Sequence, residues 1–221
     1  MAPGAVAEAL ASTGMTLEAW ADMDEDEPGE LVDGQLVEEE VTTNLHEAVV
    51  AWLMRVLGTW AVVHGGWVFG SEHKLGVSPK RGRKPDVSLY LPGARLSAKA
   101  SLSKRPPAIV VEVVSPRPRD VHRDRIDKMA DYARFGVRFY WLLDPQTRLL
   151  EILEREESGR YAIALSASEG RISVPGCDDL VLDIEDLALP PGILGQRHLG
   201  EDLWLARSDH RGVKDRKVIP L

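Results

Sequence analysis

The chain has 221 residues, of which 44% are hydrophobic and 28% are charged, and its formal net charge is -8 at pH 7. This length and hydrophobic content are sufficient for one substantial core. The sequence shows no apolar run long enough for a transmembrane segment and no signal peptide. Its single cysteine, Cys177, excludes an intramolecular disulfide and a cysteine-rich zinc site. These features predict a cytoplasmic protein without a membrane partner.

The charged residues are distributed unevenly along the chain. Residues 80–138 contain 15 Lys and Arg against 6 Asp and Glu, whereas the first 54 residues contain neither Lys nor Arg. A polyanion responds to the local field, which extends about 10 Å at moderate salt. The basic region is therefore compatible with nucleic-acid binding, although the whole chain is acidic. The alternative is a set of solvated arginines on a helix face and a loop.

The first third of the chain contains helix and hairpin signals. Residues 1–15 are weakly patterned and are predicted to form a flexible tail. Thr16 can cap a short helix, and the Asp33-Gly34 pair favours the tight turn of a β-hairpin. Apolar residues at three- and four-residue spacing predict a second helix that begins at Asn44, with Gly58 as its stop.

The middle of the chain alternates short strands with loops. Strands are predicted at 67–69 and 75–77, and Lys80–Lys84 is predicted to form a basic loop. Two further strands follow, at 86–91 and 108–114. The second of these is almost continuously β-branched, which is typical of a strand buried on both faces.

A strand–helix–strand unit and further strands complete the predicted domain. The helix is predicted over 120–135, with an apolar core face made by Ile126, Met129, Ala130 and Ala133. Strands are predicted at 137–143, 148–154, 160–166 and 171–174. The order predicts an α/β domain at 16–189 with a mixed sheet and a C-terminal antiparallel extension, followed by an appendage at 190–221.

Three charged residues interrupt elements that otherwise have core character. Asp86 starts one strand, Glu112 lies inside a buried one, and Lys128 lies on the following helix. If the two strands are neighbours, their carboxylates can share one divalent cation. A nearby lysine, here Lys128, can hold the attacking water or stabilise charge in the transition state. Glu112 is expensive to bury without such a partner. The alternatives are a loop-capping role for Asp86 and a simple ion pair between Lys128 and Asp124.

These residues belong to a longer ordered series of motifs that resembles a known family. Pro85-Asp86 followed by Glu112 resembles the PD-(D/E)XK nuclease superfamily. The full series is similar to the Uma-two family of restriction-endonuclease-like proteins over about residues 16–185. It consists of Glu30–Gly34, His46, Lys84–Val87, Val110–Pro116, Asp124, Lys128, Tyr132, Gly136-Val137 and Tyr140–Pro145. The resemblance implies a restriction-endonuclease-like core in which a mixed β-sheet is flanked by helices.

The resemblance also implies an endonuclease that acts on DNA with Mg²⁺ or Mn²⁺. Asp86, Glu112 and the carbonyl of Val114 would then be metal ligands, and Glu30 would help to bind a second metal or a water. The superfamily usually has a lysine at the position of Val114, and Lys128 is the predicted replacement. The predicted nucleic-acid-binding residues are Arg81, Arg83, Lys84, Arg117, Arg119, Arg123 and His46.

The valine at position 114 also supports a rival of a different class. A chain with this fold and no catalytic lysine can bind nucleic acid without turnover. A third hypothesis is a regulatory protein that contacts a partner through its acidic residues 1–54. A homodimer is compatible with the nuclease hypothesis, because nuclease folds of this size often dimerise to cut both strands.

Overall fold

The computed structural model describes residues 14–23, 29–38, 42–115 and 121–187. The predicted tail at 1–15, apart from its last two residues, and the predicted appendage at 190–221 lie outside the described residues. Arg117 and Arg119 also lie outside them, so their predicted contacts with nucleic acid stay predictions.

Helices and strands alternate along the described chain. The helices are α1 (Leu17–Ala21), α2 (Asn44–His64) and α3 (Met129–Phe135), and a π-helical segment, Arg123–Lys128, runs directly into α3. The strands are β1 (Glu30–Val32), β2 (Gln35–Val37), β3 (Trp67–Phe69), β4 (Lys74–Ser78), β5 (Arg81–Arg83), β6 (Val87–Tyr90), β7 (Leu102–Ser103), β8 (Ile109–Val113), β9 (Phe139–Asp144), β10 (Leu149–Arg155), β11 (Tyr161–Ala167), β12 (Arg171–Ser173) and β13 (Val181–Asp183).

Two main sheets organise these strands. The larger sheet has the order β11-β10-β9-β8-β6-β3, in which β8 and β9 are parallel and all other neighbours are antiparallel. The second has the order β2-β1-β5-β4-β7, and β12 pairs with β13 separately. The predicted mixed α/β fold with an antiparallel extension is therefore confirmed.

The hairpin β1–β2 has the predicted turn. Asp33 and Gly34 have φ angles of 52° and 80°, which are the positive values that a primed two-residue turn requires. Thr16 caps α1 as predicted, since its hydroxyl accepts a hydrogen bond from the Ala19 N–H at 3.1 Å.

Helix α2 is longer than predicted. It passes through Gly58 and ends at Gly65, which adopts the left-handed conformation with φ 80°. Within the described ranges α2 is the one helix long and apolar enough to span a membrane by length and composition, a property that the sequence analysis missed. Its side chains at Val49, Leu53 and Leu57 are fully buried in the core. Trp60 and Ala61, which follow Gly58, are buried in the same core, and their packing explains why the helix continues past Gly58.

The apolar face predicted for the helix at 120–135 is confirmed only in part, because Ala133 is buried and Met129 packs against the core but Ile126 does not lie on this face. Ile126 is 51% exposed, whereas Asp124, Lys128 and Asp131 are buried. The i to i+5 hydrogen bonds of the π-helical segment displace side chains from a regular 3.6-residue pattern. The inner face of this helix therefore carries charge, and that charge is paired with residues on the strands.

The close contact between α1 and β5 depends on a glycine. A Cβ atom added at Gly82 would lie 2.2 Å from the ring of Trp20, which is almost completely buried. We expect Gly82→Ala to lower the free energy of unfolding by about 1–3 kcal/mol, because the ring has no room to move. Urea denaturation measures this effect.

Gly58→Ala is the matched control for that substitution. No atom lies within 4 Å of the added Cβ at Gly58, which is inside α2, so this variant should gain about 0.5–1 kcal/mol. Equal changes in the two variants would contradict the packing argument.

Candidate active site

Asp86 immediately precedes β6 and lies next to Glu112 of the neighbouring strand β8. Strands β6 and β8 are antiparallel with Val87 paired to Val111, and one step further in this register places Asp86 opposite Glu112. Side chains of directly opposed residues share a face of the sheet, with Cβ atoms about 4.5–5.5 Å apart. The Val113 N–H also donates to Asp86 Oδ2 at 2.7 Å. The carboxylates of Asp86 and Glu112 therefore lie close together, as expected if the strands were neighbours.

Both oxygens of Glu112 accept hydrogen bonds from the helix that follows its strand. Lys128 Nζ donates to Oε2 at 2.7 Å, and Tyr132 Oη donates to Oε1 at 2.7 Å. All three side chains are buried. Tyr132 occurs in the sequence motif, but sequence analysis assigned it no role. Its position four residues after Lys128, about one helical turn, was the available signal.

Lys128 lies among three carboxylates. Its ammonium is 2.7 Å from Glu112 Oε2, 3.6 Å from Asp124 Oδ1 and 3.7 Å from Glu30 Oε1. Burial alone would lower the pKa of Lys128, but the surrounding carboxylates outweigh it and raise the pKa above its usual value. Lys128 is therefore a permanent cation, which suits it to stabilise negative charge and not to act as a base.

The site contains more acidic side chains than Lys128 alone can neutralise. Burial, together with repulsion from Asp86 and Asp124, raises the pKa of Glu112 to about 8, although Lys128 opposes this shift. Burial also raises the pKa of Asp124. The Oδ1 atom of Asp124 is buried and has no hydrogen-bond donor within the described residues. This excess of buried acid fits a site that takes up a further cation.

The donor set suits Mg²⁺ in particular. In the described part of the chain, no three His, Cys, Asp or Glu side chains are grouped closely enough to hold a metal ion by themselves. Mg²⁺ does not need such a group, because one or two carboxylates, several waters and a substrate phosphate oxygen complete its octahedral shell. The facing Asp86 and Glu112 supply that number of carboxylates.

His46 contacts the carboxylate of Asp86. It lies in the first turn of α2, where Thr43 caps the helix by accepting from the His46 N–H at 3.2 Å. Its Nε2 atom lies 3.2 Å from Asp86 Oδ2. Asp86 is therefore fixed from two sides, by the imidazole and by the Val113 N–H.

Glu30 reaches the site from β1 and is paired with basic groups. Arg83 Nη1 donates to Oε2 at 2.7 Å, and the Lys84 N–H donates to Oε1 at 3.0 Å. Burial would raise the pKa of Glu30, but Lys128 and Arg83 lower it below its usual value. Glu30 is thus an ionised neighbour of Lys128, and it reaches the site from a different sheet than Glu112 does.

The predicted basic loop at Lys80–Lys84 is wrong, because its centre is strand β5. Arg83 is 1% exposed, and its guanidinium donates to Glu30 and, at 2.6 Å, to Asp131. Arg81 is bound to Asp33 and Asp131. These two arginines hold the fold together through ion pairs, and their buried partners leave Arg83 inaccessible to a phosphate.

Seven of the twelve predicted site residues line one cleft of about 260 Å³. It is lined by Glu30, Thr42, His46, Glu47, Ser71, Glu72, Lys84, Asp86, Glu112, Val113, Arg123, Asp124 and Lys128. Lys84 lies 3.0 Å from Glu72 there. The side chain of Val114 instead packs into an apolar cluster that includes Tyr132. The cleft thus brings Lys84, Arg123, Lys128 and His46 of the predicted site together with the acids.

Comparisons with known proteins show which family and which fold this chain shares. Comparison with curated proteins finds no match. A solved structure, titled "Crystal structure of a putative nuclease belonging to DUF820 from Anabaena variabilis", is 17% identical with a TM-score of 0.62. The match covers 78% of this chain and 97% of that chain, and it shows a shared restriction-endonuclease-like fold. The family model Uma2, described as "Putative restriction endonuclease", matches residues 16–185, and the chain therefore belongs to the Uma2 family.

Proposed function

We propose that this protein is an endonuclease that hydrolyses phosphodiester bonds in DNA and depends on Mg²⁺ or Mn²⁺. The observation that carries the proposal is the pair Asp86, directly before β6, and Glu112, on the neighbouring strand β8, in a cleft lined by more acidic than basic side chains. Nucleases with this fold generally use divalent metals, and the donor set suits one. DNA as the nucleic acid, a homodimer and a cytoplasmic location are parts of this proposal.

Asp86 and Glu112 are the proposed metal ligands, with the Val114 carbonyl as a third and Glu30 beside a second ion or a water. The metal, when bound, neutralises charge on the phosphate and lowers the pKa of a water. The protein fixes these carboxylates beforehand through His46 and Val113 on one side and Lys128 on the other. Side chains that are already held in position lose less conformational entropy when they bind a metal ion.

Basic side chains of the cleft act on the substrate. The permanently charged Lys128, next to Glu112, stabilises the negative charge that develops on the phosphate during hydrolysis. Lys84 and Arg123 line the same cleft and hold the phosphate backbone. Arg81 and Arg83 are not part of this set, because neither of them lines the cleft.

Plasmid DNA cleavage with Mg²⁺ tests the proposal. We expect wild-type protein to cleave and Asp86→Ala to be at least about 100-fold slower, because outer partners of metal ligands alone are worth 10–100-fold. Asp127→Ala is the control, since it removes the same charge from an exposed position on the π-helical segment and should cleave normally. Equal cleavage by wild type and Asp86→Ala would refute the assignment.

A second candidate function is nucleic-acid binding without turnover. The observation in its favour is the Lys128–Glu112 contact of 2.7 Å, which already gives Glu112 a cation, together with the valine at position 114. Calorimetric titration with Mn²⁺ separates the two candidates. Salt-sensitive DNA binding in the absence of any Glu112-dependent metal binding would favour this one, and would count against a partner protein recognised through residues 1–54.

A further inference from the structure

We propose that Tyr132 is a positioning residue, which together with Lys128 fixes the Glu112 carboxylate in the orientation that binds the metal. The inference rests on the proposed function, because it assigns a task at the same site. Neither the metal-ligand pair nor the resemblance to a family of nucleases gives Tyr132 this role.

Two hydrogen bonds fix the orientation of the Glu112 carboxylate. Tyr132 Oη lies 2.7 Å from Oε1 and Lys128 Nζ lies 2.7 Å from Oε2, so each oxygen has its own donor. A glutamate side chain has several rotatable bonds and is otherwise free to turn its carboxylate. Each oxygen has a further lone pair, so that a metal can bind while both donors stay in place.

Tyr132 itself is held independently of Glu112. Its ring lies 5.3 Å from the ring of Tyr140, which in turn lies 5.8 Å from the ring of Tyr161. Tyr140 Oη donates to the Asp124 carbonyl at 2.9 Å, which ties this stack to the π-helical segment. The neighbouring Asp131 is bound by two arginines of β5. The hydroxyl of Tyr132 is therefore at a fixed position, as a positioning residue requires.

Tyr132 acts through Glu112 and not on the substrate. It is completely buried and does not line the cleft. Burial and the adjacent Glu112 carboxylate raise the pKa of Tyr132 well above its usual value, so the phenol remains a hydrogen-bond donor. Loss of a side chain that orients a metal-binding residue in this way typically lowers metal affinity by about 10–100-fold.

Calorimetric titration of the metal-free protein with Mn²⁺ tests the role of Tyr132. We expect Tyr132→Phe to bind Mn²⁺ about 10-fold more weakly than wild type, because the ring packing is kept and only the donor is lost. Tyr161→Phe is the matched control: it removes the hydroxyl at the other end of the same stack, which donates to the Val137 carbonyl at 2.8 Å. Its affinity for Mn²⁺ should equal that of wild type.

Thermal unfolding of both variants shows whether a general loss of stability explains the result. Similar unfolding midpoints with weakened Mn²⁺ binding only in Tyr132→Phe support the proposal. Wild-type affinity in Tyr132→Phe, with binding lost in Glu112→Gln, overturns the role of Tyr132 and leaves the metal site intact. Unchanged binding in Glu112→Gln overturns the metal site itself.

Discussion

Glu112→Gln is expected to lose divalent-ion binding and to slow Mg²⁺-dependent cleavage by at least about 100-fold. The amide has nearly the shape of the carboxylate and can still accept a hydrogen bond from Lys128. It lacks the negative charge that Mg²⁺ requires of its few protein ligands. Calorimetry with Mn²⁺ and plasmid cleavage measure the two losses. Full binding and cleavage in this variant would show that the metal is held elsewhere.

The pH dependence of stability provides an independent control for Glu112. Burial and the neighbouring acids raise its pKa from 4.5 to about 8 in the folded protein. Between these values the folded protein keeps a proton that the unfolded chain has lost, so the stability of metal-free wild type falls as the pH rises through this window. Glu112→Gln lacks this contribution, and its stability should fall less.

Urea denaturation at pH 5 and pH 8 measures that difference. Relative to Glu112→Gln, wild type should lose stability at pH 8, and Mn²⁺ should restore it in wild type only, because a ligand stabilises the state that binds it. Parallel stability profiles for the two proteins would contradict the assigned environment of Glu112. Comparing the two proteins removes the contributions of titrating groups that lie away from Glu112, so the difference reports on Glu112 and the acids next to it.

Arg83→Met is expected to lower the free energy of unfolding by about 3–5 kcal/mol. The guanidinium of Arg83 lies between Glu30 at 2.7 Å and Asp131 at 2.6 Å, and all three side chains are buried. Methionine keeps the apolar stem but leaves two buried carboxylates with less compensation. Removing one partner of a buried pair is costly because the remaining charge cannot reach water.

Arg138→Met is the control for this loss. Arg138 also forms an ion pair, with Glu154 at 3.0 Å, but both side chains are substantially exposed. Such pairs contribute about 0.2–1 kcal/mol, so the control should be almost as stable as wild type. Equal losses in the two variants would contradict the buried network. Adding Asp131→Asn to Arg83→Met should recover part of the stability, because a neutral amide is cheaper to bury than a carboxylate.

The ion pairs of Arg83 also connect the fold to the site. They join β1, through Glu30, to the helix that carries Lys128 and Tyr132, through Asp131. Metal binding should therefore weaken in Arg83→Met even where the protein remains folded, because the helix keeps only the Arg81–Asp131 ion pair as its attachment to the arginines of β5.

The sequence by itself determined the features that depend on neighbouring residues. The Asp33-Gly34 turn, the Thr16 cap and the buried strand around Glu112 follow from local turn chemistry, capping and β-branched composition. Asp86 was predicted to face Glu112 on the assumption that their strands pair, and the antiparallel register confirms that the strands are neighbours. The order of the motifs also identified the family correctly.

Only the tertiary structure decided where charge is buried. Arg83 looked like part of a basic loop, but its partners Glu30 and Asp131 lie 53 and 48 residues away in the chain. The helix that carries Lys128 buries Asp124, Lys128 and Asp131 and leaves Ile126 exposed for the same reason. Hydrophobic periodicity assumes that charged side chains face water, and it fails where opposite charges from distant segments compensate each other. Asp86 and Glu112 could thus be recognised as candidate site residues from local sequence patterns. The side chains that contact them were decided by contacts between segments distant in the chain.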